Sequence, residues 1–98
     1  MPLLPLLPIF HRLNREHFNG ILAIDGQPLS SVRWSDGRMS RTAGFYRRGS
    51  GIGDGRGSEI VLSKPLLEPL PQEATESTLC HEMIHAWVDL VQRRCETH

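Results

Sequence analysis

The sequence predicts an α+β domain, on three observations. Apolar residues recur at helical spacing near the start, the middle third breaks into short β-forming runs separated by glycine-rich turns, and a long apolar segment near the end carries His81-Glu82-Met83-Ile84-His85. The 98 residues, 39% apolar and 22% charged, fit one small globular domain spanning 1–98. A chain of this size buries only about two-thirds of its unfolded surface, so support from a metal or a partner would matter.

Met1 to Phe10 reads as an extended lead-in, because Pro2, Pro5 and Pro8 interrupt helix formation and no basic segment or small-residue cleavage site marks a secretion signal. A first helix is predicted from about Pro8 to Phe18: Ile9, Phe10, Leu13, His17 and Phe18 form the stripe, and Asn19-Gly20 supplies a left-handed stop. Three strands follow, over Ser31-Trp34, Thr42-Tyr46 and Glu59-Leu62, and the simplest arrangement is a small three-stranded antiparallel sheet. The loop from Gly49 to Gly57 matches neither the dinucleotide fingerprint nor the P-loop, and reads as a flexible hairpin connection. A second helix is predicted from Pro69–Pro71 to about Arg93. Its second half (Leu79, Met83, Ile84, Ala86, Trp87, Val88, Leu90, Val91) is apolar almost all round, which predicts a buried helix. Trp34, Phe45, Tyr46 and Trp87 read as core rather than as base-stacking platforms.

The formal net charge is zero, which excludes a purely electrostatic nucleic-acid binder, yet the charge is unevenly spread. Residues 33–58 carry Arg33, Arg38, Arg41, Arg47, Arg48 and Arg56 against Asp36 and Asp54, and the segment from Glu59 onward is acidic. The arginine-rich stretch is a candidate anion surface, with DNA as its partner. No run approaches the roughly 20 apolar residues that cross a bilayer, so no membrane partner is expected. Cys80 and Cys95 fall on one predicted helix too far apart to pair, and two free thiols suggest a reducing, cytoplasmic setting.

The chemistry resides in His81-Glu82-Met83-Ile84-His85. Histidines four apart advance about 400° on a helix, so both rings leave one face and can converge on a Zn2+ ion. Glu82, rotated about 100° from His81, lies beside the metal, where its carboxylate can act as general base. A catalytic zinc takes three protein ligands. The metzincin continuation is absent, because Val88 and Val91 stand where Gly and His are required. Asp89 is too short to reach a metal between the two rings and is assigned a supporting or surface role. Cys80 points off the histidine side and reads as a small hydrophobe. Glu96 and His98 remain, and His98 is the choice for third ligand.

The chain resembles the SprT-like (Spartan-type) zinc metalloprotease family. The resemblance runs through Phe10, Leu13, Asn14 and Phe18, then Trp34, Ala43-Gly44-Phe45-Tyr46 and Glu59-Ser63, and is most specific over Thr78-Trp87. It implies a zincin-like domain that hydrolyses peptide bonds of a protein or peptide substrate, and in Spartan-type members a DNA-repair role against proteins crosslinked to DNA. It assigns His81 and His85 as zinc ligands and Glu82 as the catalytic base. The family's third ligand is a histidine commonly followed by Gly and an aromatic, and against that pattern a chain stopping at His98 reads as C-terminally shortened. Two other readings stand beside the peptidase: a non-catalytic, zinc-stabilised DNA-binding module, and an inactive truncated fragment.

Overall fold

The structure, a computed structural model, describes residues 4–35, 39–49 and 57–96, with side chains described as far as Gln92. Helix α1 spans Leu6–His17, starting two residues earlier than its sequence signals. Leu6 is buried in the core, and Pro8 falls within the first turn, where its missing N–H would have had no helical partner. The lead-in is therefore helical from Leu6, not extended through Phe10. The stop is as predicted: Asn19 and Gly20 have φ of 53° and 75°, and the amides of Phe18 and Gly20 both donate to Asn14 O at 3.0 Å. Buried Asn14 also accepts from the Leu22 amide through Oδ1 at 3.1 Å, tying the helix to the next segment.

A two-stranded hairpin follows, β1 (Ala23–Ile24) and β2 (Gln27–Pro28), turned by Asp25-Gly26 with both residues at positive φ. Asp-Gly is a local hairpin signal in its own right, since both residues accept positive φ. The main sheet contains β3 (Ser31–Trp34), β4 (Gly44–Arg47) and β5 (Glu59–Leu62) in the order β3-β5-β4. It is mixed rather than antiparallel: β4 pairs antiparallel with β5, with Phe45 opposite Val61, but β3 pairs parallel with β5, with Val32 opposite Ile60. The segment between β3 and β4 is long enough to step across one strand position, and β5 returns into the gap. The glycine loop falls largely on residues 50–56, outside the described residues.

Strand alternation gives the sheet two unlike faces. Ile60 and Leu62 join Phe10, Leu13, Leu79 and Met83 in the core, together with half-buried Val32, Trp34 and Tyr46. Arg33, Phe45, Arg47, Glu59 and Val61 share the other face. Trp34 anchors α1 by donating from Nε1 to Leu4 O at 3.0 Å. After β5, Ser63 caps a short unpredicted helix, α2 (Lys64–Leu67), accepting from the Leu66 amide at 3.2 Å. Helix α3 then runs Gln72–Glu96, and Arg12 of α1 pairs with its Glu76.

Helix α3 is not buried all round. Leu79, Met83, Ala86 and Leu90 enter the core, whereas Ile84, Val88 and Trp87 are 39–48% exposed and both motif histidines are exposed. A small core cannot surround a helix on every side. Strand β4 lies close against α3 because residue 44 is glycine: a Cβ there would stand 2.9 Å from Thr78 Cγ2, 3.0 Å from Leu62 Cδ2 and 3.3 Å from Glu82 Cγ. The substitution Gly44→Ala should accordingly cost about 1–3 kcal/mol in denaturant unfolding. Part of that loss should return in Gly44→Ala/Thr78→Ser, which removes the nearest methyl group.

Candidate active site

An advance of 100° per residue divides the buried and functional parts of α3 into three adjoining sides. Leu79, Met83, Ala86 and Leu90 occupy the core side. Thr78, Glu82 and Asp89 come next and face β4, and His81 and His85 lie beyond them toward solvent. The side that receives β4 therefore sits between the core and the histidines.

His81 Nε2 and His85 Nε2 are 3.3 Å apart, with the ring planes at 83° and the centroids 4.9 Å apart. Two nitrogens bound to one tetrahedral zinc at 2.0–2.1 Å would be separated by about 3.3 Å. The spacing of the pair therefore matches two corners of such a site. Among the described residues no cluster of three His, Cys, Asp or Glu side chains forms, so no third ligand joins the pair there. His98, the sequence's choice, lies outside the described residues, and the side chain of Glu96 is not described either.

Glu82 is 6% exposed. Its carboxylate makes no hydrogen bond or ion pair among the described residues, and since no buried side-chain oxygen is left unpartnered, its oxygens must keep contact with solvent. The position suits a proton acceptor: walled by Gly44 and Thr78, next to the histidines, and not neutralised by a fixed cation. Cys80 packs partly into the core, and burial pushes its thiol pKa up, which disfavours the thiolate that a metal would need.

Asp89 has a definite structural role that the sequence left open. It is 7% exposed, accepts a hydrogen bond from Tyr46 Oη on Oδ2 at 2.6 Å, and pairs with Arg48 Nε through Oδ1 at 2.9 Å. The signal in the sequence was Asp89 lying seven residues after Glu82, two turns along the same side of the helix. Its partners come from the far end of β4, which no local pattern reveals. Of the predicted core aromatics, Trp34 and Tyr46 pack against the core, Trp87 is 39% exposed, and Phe45 lies on the outer sheet face under the Arg47 guanidinium, 5.8 Å from its ring centre. The groove between the β1–β2 hairpin and β3 is lined by Leu7, Ile24, Pro28 and Val32 among others, and none of the three motif residues lines it.

Comparison with known proteins identifies the family. Residues 6–98 match the SprT-like family. The DNA-dependent metalloprotease dvc-1 of Caenorhabditis elegans is 36% identical over 85 residues, which is 87% of this chain and 22% of the relative. The chain thus spans about a fifth of that protein's length. With the family match running from α1 through the histidine-bearing helix, this chain belongs to the SprT-like family.

Proposed function

We propose that this chain is the catalytic part of a zinc-dependent metalloendopeptidase. The observation that carries the reading is the 3.3 Å separation of His81 Nε2 and His85 Nε2 beside the buried carboxylate of Glu82, which has no partner among the described residues. His81 and His85 would hold the ion, with His98 as third ligand. A zinc ion bound there supplies a Lewis acid that polarises the scissile carbonyl and makes a water molecule more acidic.

Glu82 accepts the proton of the attacking water on its carboxylate and returns it to the leaving amine. The substrate chain is held by β4. Among the described residues β4 pairs on one side alone, with β5, so its other edge, where Thr42 Oγ1 donates to Gly44 O at 3.0 Å, can add an extended peptide strand through its remaining backbone groups. That edge borders the histidine side of α3, which brings an added strand to the metal ligands.

DNA is the proposed second partner. The outer sheet face presents Arg33 and Arg47, 50% and 64% exposed, both paired to Glu59, at 3.3 and 3.1 Å. One carboxylate shared by two guanidiniums leaves a net positive charge, with Phe45 beside it to stack on a base. The relative's description as DNA-dependent supports the same reading.

The substitution Glu82→Gln should abolish cleavage of an unfolded protein while zinc content by metal analysis stays near that of the unsubstituted chain. His81→Ala should lose the metal as well. Cleavage at full rate by Glu82→Gln would disprove the assignment. Replacing Arg33 and Arg47 together by Ala should weaken oligonucleotide binding and flatten its dependence on salt by roughly one to two units of logarithmic slope. An unchanged slope would remove DNA from this face.

A further inference from the structure

Strand β4 is fastened to α3 at two points with different chemistry. At its start, Gly44 lets the backbone close onto Thr78 and Glu82. At its end, Tyr46 and Arg48 converge on Asp89. Glu82 and Asp89 are seven residues apart, about 10 Å along the axis, and His85 lies between them. The free edge of the sheet is thus held along the stretch of helix that carries the second histidine.

A tie made only for stability would be served at lower cost by apolar side chains, because a carboxylate as buried as Asp89 loses most of its hydration. A carboxylate held by a phenol on one oxygen and a guanidinium on the other gives something an apolar contact does not, a fixed distance and direction. We propose that Asp89, acting through Tyr46 and Arg48, is a positioning residue that sets where a substrate strand added to β4 lies relative to His81 and His85. This rests on the peptidase reading above. The clamp prepays the ordering of β4, so its loss appears as weaker binding of long substrates rather than as damage to the metal site.

The test uses a labelled peptide of about ten residues, long enough to form a strand along β4, and a dipeptide amide that spans only the scissile bond. In the zinc-loaded Glu82→Gln background, Tyr46→Phe and Asp89→Asn should each weaken binding of the long peptide about tenfold. With Glu82 present, kcat/KM for the long peptide should fall by the same factor through KM, and the dipeptide amide should be cleaved at the unsubstituted rate. Arg48→Lys, which keeps the charge, should retain most of the binding that Arg48→Ala loses. Unchanged long-peptide binding in both Tyr46→Phe and Asp89→Asn would overturn the proposal, as would a parallel loss for both substrates accompanied by loss of zinc or helix content. If the unsubstituted chain cleaves neither substrate, the peptidase reading fails, whereas the binding measurements still decide whether Asp89 orders β4.

Discussion

The lengthwise contact between strand β4 and helix α3 is the constraint on which the rest of the site depends. It needs a residue without a side chain at position 44, since any Cβ there would press into Thr78 and Leu62. It also needs a fastening at the other end, which Asp89 provides to Tyr46 and Arg48. Between these points the strand covers the side of the helix that bears Glu82 and leaves the histidine side open. Were β4 to stand off by a further ångström or two, Glu82 would become an ordinary solvated carboxylate and the sheet edge would lose its relation to His81 and His85.

Two carboxylates on the same side of one helix are given opposite environments. Asp89 is tied to a phenol and a guanidinium, which fix its geometry. Glu82, at least as buried, has no such partner among the described residues, and its oxygens keep contact with solvent. Burial without neutralisation suits a group that exchanges protons, and burial with neutralisation suits one that holds other groups in place. The histidines add little strain to a small fold, because they stand on the exposed side of α3 while Leu79, Met83, Ala86 and Leu90 carry its packing.

Much of this was legible in the chain, for local reasons. The Asn19-Gly20 stop is visible because a left-handed residue pair favours those side chains, and the relation of His81, Glu82 and His85 follows from helix geometry alone. The errors share a cause. Parallel pairing of β3 with β5 depends on which strand enters the gap, and no strand encodes its neighbour. The α3 segment looks apolar on every side, yet which apolar residues are buried depends on how much partner surface a 98-residue chain can supply. The Asp25-Gly26 hairpin was available locally and was missed because its strands are two residues long.

The sequence by itself determined that His81 and His85 leave one side of a helix with Glu82 rotated beside them, because spacing along a helix is fixed by backbone hydrogen bonds that no distant contact needs to supply. Tertiary structure alone decided that the histidines face outward, that Glu82 is enclosed with no cation beside it among the described residues, and that Asp89 holds the sheet edge. Those properties belong to pairs of residues 38 to 43 positions apart, Gly44 with Glu82 and Tyr46 with Asp89, and become physical facts only when β4 docks on α3.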